Sequence, residues 1–390
     1  MTQRRALTRR VIIGATALAT LAAVGAVAWA GGHGTEADAA SKTLTATPAL
    51  AATLTIAGTP KPLPWPAKGS AGLYVEGIGD AGRSGTTEAP RPIASVTKVM
   101  TAYLILRNHP LAPGTSGPSL TVTAAEAAEY PRERALAQSA IPVRPGERLT
   151  QRQALEALML PSANNIARIL ARWDAGTIPA FVTQMNAAAV ALGMIHTRYT
   201  DPSGWDAGTV STVDDQLKLA EIAMTIPTFA DIVKMPTTKL PLVGPVRNVN
   251  KLLGKSGVIG VKTGSMTAAG GCLVFAAQII VAGQPVRILG AVLGQADLPT
   301  AFARSLDLIT AAGRRLRAYT LIHAGDVVAT ASDGAALTAA SDVRVLGWPG
   351  MRYQSAFQFN LGTHTQPAAI VGTLTVTGLG DLVTTAVTVA

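Results

Sequence analysis

Hydrophobic residues run almost without interruption through residues 11–30, directly after a basic segment, residues 1–10. A helix of about 20 residues rises roughly 30 Å, which matches the hydrocarbon core of a bilayer. The same run ends in Ala28-Trp29-Ala30, which fits the small-x-small pattern of a signal-peptide cleavage site. Residues 1–30 are therefore predicted to be a signal peptide or an N-terminal membrane anchor, and either prediction exports the rest of the chain.

The apolar positions between about residues 95 and 225 favour helices. Pro110 is predicted to end the first of them, because proline cannot continue a helix. Three pairs of residues resemble capping boxes and predict further helix starts: Thr123 with Glu126, Thr150 with Gln153, and Ser211 with Asp214.

After residue 257 the pattern becomes that of β-strands, at residues 258–262, 272–281 and 286–292. A helix is predicted at residues 298–316, and the remaining residues are rich in Thr and Val with Gly and Asp turns. The fold class is therefore predicted to be α+β, with a main domain at residues 63–317 and a small C-terminal β-domain at residues 318–390.

The stretch before the main domain, residues 31–62, is rich in Ala, Thr and Gly and has no steady hydrophobic period. Such a composition is typical of a flexible linker, and this is the prediction for residues 31–62. The Pro-rich residues 61–66 mark an extended entry into the main domain.

Composition narrows the classes of function. The 390 residues are 48% hydrophobic and 14% charged, which suffices for a sizeable core. The net charge of +10 is not accompanied by a nucleic-acid motif, so no nucleic-acid partner is predicted. The five histidines lack metal-ligand spacing, and neither a metal nor a cofactor is predicted. Cys272, in an apolar run, is predicted to be a buried strand residue.

The first chemical motif is Ser95-Val96-Thr97-Lys98, at the start of a predicted helix. Residues three apart on a helix lie on one face, so the Lys98 amine is within reach of the Ser95 hydroxyl. An amine made neutral by burial or by a nearby cation can take the serine proton. Ser95 is therefore the candidate nucleophile and Lys98 the candidate base.

The second motif, Ser162-Ala163-Asn164, is predicted in a loop between two helices. The Ser162 hydroxyl can relay a proton to a leaving amine, and the Asn164 amide can hold the substrate while fixing Lys98.

The third motif is Lys262-Thr263-Gly264-Ser265, at the end of a predicted strand. Lys262 and the two hydroxyls suit a substrate carboxylate. Gly264 would let the substrate backbone approach closely. The Ser265 backbone N–H can pair with that of Ser95 as an oxyanion hole.

These three motifs, in this order, resemble those of the low-molecular-mass penicillin-binding proteins, specifically the serine-type D-alanyl-D-alanine carboxypeptidases. The resemblance covers roughly residues 63–316 and includes residues 92–101, which are similar to the segment around that family's nucleophile. Further similar segments are residues 181–186, 192–194, 201–204 and 211–215. Asn165 stands where the family commonly has an acidic residue. Residues 196–199 differ modestly from the family's usual sequence before Asp201.

The resemblance implies a β-lactamase/transpeptidase-like domain, in which helices flank an antiparallel sheet and a helical subdomain carries the second motif. It implies that Ser95 attacks the penultimate D-alanine of a peptidoglycan stem peptide, with Lys98 as base and Ser162 passing the proton to the departing D-alanine. Asn164 would position the peptide, and the terminal carboxylate would bind Lys262, Thr263 and Ser265. β-Lactam antibiotics would be covalent inhibitors.

Two alternatives remain. A class A-like β-lactamase would carry Ser-Asp-Asn at the second motif and a glutamate for its deacylating water. The only glutamate between Asn164 and Lys262 is Glu221, which is predicted on a helix surface. A non-catalytic cell-wall-binding scaffold would need none of the motif residues. The sequence predicts an enzyme at the extracytoplasmic face of the membrane or in the cell wall, tethered through its N-terminus if the first segment is uncleaved.

Overall fold

The computed structural model describes residues 43–85, 89–363, 365–378 and 382–390. The predicted signal peptide or anchor, residues 1–30, lies outside the described residues, as do residues 31–42 of the predicted linker.

Helices fill the middle of the chain, as the apolar spacing predicts. Thr123 and Thr150 each form a capping box, so those two helix starts are confirmed. The third start is one residue later than predicted, because Ser211 belongs to a short strand and Thr212 caps the helix by accepting from the Asp215 N–H. The helices are Lys98–Asn108 (α1), Ala124–Ala135 (α2), Gln151–Met159 (α3), Asn164–Ala175 (α4), Ile178–Ala191 (α5), Val213–Thr225 (α6), Pro227–Val233 (α7) and Leu298–Arg315 (α8).

A five-stranded antiparallel sheet forms the centre of the main domain. Its strands are Ser70–Val75 (β3), Gly79–Ser84 (β4), Val258–Met266 (β11), Gly270–Val281 (β12) and Gln284–Gln295 (β13). Their order across the sheet is β11-β12-β13-β3-β4. β11, which carries the third motif, is therefore an edge strand of this sheet.

Both faces of this sheet are buried, which explains the continuous apolar runs of its strands. Along β12, Val274 packs into the core formed with α1 and α3 to α7. Its neighbours Leu273 and Phe275 face the opposite core, which includes the apolar residues of α8. The prediction of a sheet flanked by helices is confirmed, and Cys272 is buried in β12.

From Arg317 onward the described residues form strands and turns. Together with two short strands near residue 50 they build a seven-stranded antiparallel sheet. Its strands are Ala46–Pro48 (β1), Thr53–Thr55 (β2), Val327–Ala331 (β15), Ala336–Ala339 (β16), Arg352–Phe359 (β18), Ile370–Thr377 (β19) and Leu382–Val389 (β20). Their order across the sheet is β1-β15-β16-β20-β19-β18-β2. The described residues also form four two-stranded sheets: Arg91–Pro92 (β5) with Val210–Ser211 (β8), Ser119–Thr121 (β6) with Arg148–Thr150 (β7), Thr237–Leu240 (β9) with Gly244–Arg247 (β10), and Arg317–Ile322 (β14) with Val343–Gly347 (β17).

The flexible-linker prediction is corrected for its described part. β1 and β2 occupy the two edges of the C-terminal sheet, and Ile56 is buried in that sheet's core. Strands of three residues are too short to show a period, and their partners are far away in the sequence. Within the described part of the chain, no helix combines the length and the apolar character that a membrane crossing requires.

Candidate active site

The segment that carries the candidate nucleophile Ser95 is a 3-10 helix, Ala94–Thr97, that leads directly into α1. Ala94 lies in the left-handed region at φ 47°, a conformation that costs a non-glycine residue free energy and persists only where packing enforces it. Thr97 Oγ1 donates to the Ala94 carbonyl at 2.7 Å and closes this turn. The half-buried Ser95 therefore lies on a rigid turn, one helical turn before Lys98.

The Lys98 amine makes three short hydrogen bonds, although its side chain is fully buried. Nζ is 2.8 Å from Ser95 Oγ, 2.7 Å from Asn164 Oδ1 and 2.8 Å from the Ser203 carbonyl oxygen. Two of these partners are carbonyl acceptors and the third is a hydroxyl. A neutral amine has two N–H groups and one lone pair, which matches this set when Ser95 donates its proton.

Burial lowers the pKa of Lys98 well below its usual value, and repulsion from Lys262 lowers it further. Asp201 opposes the shift by attracting the charged form, and Arg168 adds to it. The neutral form that a base requires is therefore favoured by both the burial and the neighbouring cation.

Asn164 is the first residue of α4, and its side chain is buried. While its Oδ1 accepts from Lys98, its Nδ2 donates to Gln138 Oε1 at 3.0 Å. Gln138 thereby fixes which end of the Asn164 amide faces the lysine. Asn165, the departure from the family pattern, holds the neighbouring segment through hydrogen bonds to both backbone groups of Ile141.

Ser162 lies just before α4, in the left-handed region at φ 66°. Its hydroxyl is buried and has no hydrogen-bond partner among the described residues. A buried hydroxyl without a partner is uncommon and calls for an explanation. Ser162 precedes Asn164 by two residues, but its hydroxyl makes no hydrogen bond to Ser95 or Lys98.

Lys262 and Thr263 are buried on β11, whereas Ser265 is exposed at its end. Burial lowers the pKa of Lys262 to about 7. Its Nζ donates to the Thr263 carbonyl at 3.1 Å, the single hydrogen bond that the described residues give it. An anionic substrate group would favour the charged form of this lysine.

Gly264 has a packing role that the sequence did not predict. A Cβ at this position would lie 2.5 Å from the Ile93 carbonyl oxygen and 3.1 Å from the Ser95 nitrogen. Gly264 therefore permits the close approach of the turn that carries Ser95 to β11. The predicted approach of a substrate backbone stays a prediction.

We expect Gly264→Ala to slow acylation by penicillin and to lower the melting temperature. The added methyl group must push β11 away from the turn that holds Ser95. Overpacking of this kind costs about 1–3 kcal/mol of stability. Stopped-flow acylation and thermal unfolding measure the two effects. Gly313→Ala, on α8, is the control, because its Cβ would meet only an ordinary contact at 3.5 Å. Equal behaviour of the two variants would contradict this role for Gly264.

A further element that contacts Lys98, the candidate base, was not predicted as part of the site. The loop around residues 201–205 supplies the Ser203 carbonyl to Lys98, and the Pro202 carbonyl accepts from Thr101 Oγ1 at 2.6 Å. The Asp201 carboxylate shapes this loop by accepting from the backbone N–H groups of Ser203, Gly204 and Trp205. The Asp-Pro-Ser-Gly turn was a visible sequence signal, but its contact with Lys98 is made by a backbone carbonyl.

The structure thus brings Ser95, Lys98 and Asn164 into direct contact and sets β11 against the same turn. Glu221 is the glutamate that the β-lactamase alternative would need. Its carboxylate lies near Tyr74 on β3, where burial and this carboxylate raise the pKa of the tyrosine. Among the described residues, the charged groups that shift the pKa of Lys98 are Lys262, Asp201 and Arg168.

Comparison with known proteins agrees with this arrangement. Residues 83–296 match the family model described as D-alanyl-D-alanine carboxypeptidase. A D-alanyl-D-alanine carboxypeptidase of Streptomyces sp. strain K15 is 33% identical over 280 residues, which cover 67% of this chain and 93% of that protein. The crystal structure of the Streptomyces K15 DD-transpeptidase is similar at a TM-score of 0.55 and 28% identity, covering 65% of this chain and 98% of that one.

A larger share of the fold is similar to penicillin binding protein 5 from Haemophilus influenzae. That structure covers 85% of this chain and 98% of its own, with a TM-score of 0.61 and 19% identity, so the likeness concerns the fold alone. The chain belongs to the D-alanyl-D-alanine carboxypeptidase family of penicillin-binding proteins. It is a serine-type carboxypeptidase, a hydrolase that works through an acyl-enzyme.

Proposed function

We propose that Ser95 is the nucleophile and attacks the carbonyl carbon of the penultimate D-alanine in a peptidoglycan stem peptide. The observation that carries this assignment is the buried Lys98 amine, 2.8 Å from Ser95 Oγ and held by two carbonyl acceptors. With both N–H groups directed at Asn164 and Ser203, the lone pair of the neutral amine faces the Ser95 hydroxyl. As the new C–O bond forms, the hydroxyl proton passes to Nζ, and the resulting ammonium keeps the same three partners.

The proton must then reach the nitrogen of the departing D-alanine. The Ser162 hydroxyl is suited to this relay, because it is buried and free of other hydrogen bonds among the described residues. The C–N bond breaks as the leaving nitrogen gains its proton, and Lys98 becomes neutral again. Water then attacks the ester carbonyl of the acyl-enzyme while Lys98 accepts its proton. The ester C–O bond to Ser95 breaks as that proton passes to Ser95 Oγ, and the shortened peptide leaves.

The substrate carboxylate is assigned to the end of β11. Lys262 supplies a cation, and Thr263 and Ser265 supply hydroxyls. The backbone N–H groups of Ser95 and Ser265 are the proposed oxyanion hole, since the Ser95 nitrogen lies beside Gly264, the residue before Ser265. Asn164 completes the set by positioning the donor peptide.

The location and partners follow from this assignment. The substrate lies outside the cytoplasm, and the basic and apolar residues 1–30 have the composition of an export signal. We therefore assign the enzyme to the extracytoplasmic face of the membrane or the cell wall, and it would be tethered through its N-terminus if that segment is uncleaved. A scaffold that only binds cell wall would not need a lysine buried against a serine.

Penicillin labelling tests the assignment of Ser95. Mass spectrometry of the drug-treated protein should find the adduct on the Ser95 peptide, and heat-unfolded protein should remain unlabelled. Ser162→Ala should still form the adduct, more slowly, because it keeps the nucleophile. An adduct on any other residue would remove Ser95 from its role.

A digest of purified muropeptides separates the possible uses of the acyl-enzyme. Carboxypeptidase activity shortens a stem peptide by one alanine, endopeptidase activity splits cross-linked dimers, and transfer to an amine creates new cross-links. We expect loss of a single terminal D-alanine, detected by mass spectrometry. Products made up mostly of split dimers or new cross-links would contradict this expectation.

A further inference from the structure

A cavity of about 580 Å³ opens where α8 ends, and none of its lining residues belongs to the candidate active site. Its walls come from Thr59 and residues 61–63, from the last turn of α8, from the start of β14 and from Pro349. Sites for small ligands usually enclose roughly 300–1,000 Å³. The cavity is therefore large enough for a small molecule or for one unit of a polymer.

Positive charge dominates this lining. Four cationic side chains face it, and no acidic residue is among the described residues that line it. The four are Lys61, Arg314, Arg315 and Arg317. Without a bound anion, so many like charges around one recess repel each other.

The end of α8 accounts for only part of this charge. A helix C-terminus attracts cations, and Arg317 serves it directly by donating to the Leu316 carbonyl at 2.7 Å and the Gly313 carbonyl at 3.3 Å. Arg315 does not. Its Cζ is 4.9 Å from the centre of the Trp348 ring, and its buried Nε has no hydrogen-bond partner among the described residues.

Trp348 therefore orients the Arg315 guanidinium while leaving a buried donor unused. A buried N–H without an acceptor costs free energy, and the Arg315 Nε bears this cost among the described residues. The exposed Arg314 supplies a second guanidinium to the same recess. The lining is otherwise largely apolar and includes Leu63 and Ala311, which strengthens charge interactions within the recess.

We propose that this cavity binds a small, soluble anion that carries several phosphate charges. Guanidinium groups bind phosphate through two parallel N–H donors, and several of them in one recess match a ligand of charge two or more. A single carboxylate would leave most of the positive charge uncompensated. The recessed shape suits a small soluble group better than a flat membrane surface. This site is separate from the proposed reaction at Ser95.

Titration calorimetry of the full chain with inorganic tripolyphosphate, at low ionic strength, tests the proposal. We expect saturable binding at one site per chain that weakens as salt is added. Arg314→Gln and Arg315→Gln should each weaken binding by about tenfold or more, since each removes charge-assisted hydrogen bonds. A tricarboxylate of similar charge should bind less tightly than tripolyphosphate.

Arg304→Gln is the matched control, because Arg304 is on the same helix but pairs with Asp307 at 3.1 Å and does not line the cavity. All three variants should label with penicillin like the wild type. Arg314→Gln keeps the test decisive if Arg315→Gln unfolds through the loss of its Trp348 contact. The proposal fails if tripolyphosphate does not bind, if Arg304→Gln weakens binding equally, or if the chain binds only to phosphatidylglycerol vesicles.

Discussion

Lys98→Met is expected to slow acylation by penicillin by roughly 10²–10⁴-fold, the usual contribution of a positioned general base. Methionine fills the buried space of the lysine side chain but cannot take the Ser95 proton. Stopped-flow measurement of covalent adduct formation gives the rate, and circular dichroism checks that the variant is folded. Lys239→Met, at an exposed position on β9, should acylate at the wild-type rate.

The pH dependence of acylation adds a second readout for Lys98. Only the neutral amine can accept a proton, so the wild-type rate should rise with pH through the pKa of Lys98, which burial and Lys262 place well below the usual value. The methionine variant should lack this rise. A loss of less than tenfold, or an unchanged pH profile, would show that another group acts as the base.

Lys262→Gln is expected to reduce kcat/KM on a D-Ala-D-Ala substrate by about 10 to 150-fold, the value of one charge-assisted hydrogen bond. Its cation is the proposed partner of the substrate carboxylate, and repulsion from it also lowers the pKa of Lys98. A substrate with an amidated C-terminus should lose less, because it has no carboxylate. Equal losses on both substrates would mean that Lys262 acts through Lys98 alone.

The same lysine predicts a fall in activity at alkaline pH. Its pKa in the free enzyme is about 7, so it is charged below this pH and neutral above it. The kcat/KM of the wild type on the carboxylate substrate should therefore decline as the pH rises through about 7. Lys262→Gln should lose this alkaline limb, and the exposed Lys255→Gln should retain it. A wild-type limb that survives in Lys262→Gln would assign it to another group.

The sequence predicts the parts of the site whose chemistry depends on side-chain type and local spacing. Ser95 and Lys98 are one helical turn apart, so their contact follows from helix geometry. Asn164 meets Lys98 across 66 residues, a contact that was predicted from the chemistry of the second motif and not from local spacing.

Contacts that depend on tertiary packing could not be predicted in the same way. The Ser203 acceptor is a backbone carbonyl, which any residue could supply, 105 residues from Lys98. Gln138 is an ordinary polar residue in a loop until its contact with Asn164 is known. For Gly264 the sequence indicates a close approach but not what approaches, because that depends on how β11 meets the nucleophile segment.

The two edge strands of the C-terminal sheet are also the first described strands of the chain. Thr45 hydrogen-bonds to Ser332 and Thr53 to Gln354, partners that lie 287 and 301 residues further along. A ribosome adds about 5–20 residues per second, so β1 and β2 exist for many seconds before their partners are made. During synthesis these strands have nothing to pair with, and the sheet closes only when the chain is nearly complete. A premature stop codon before β15 would therefore leave both β1 and β2 without their pairing strands.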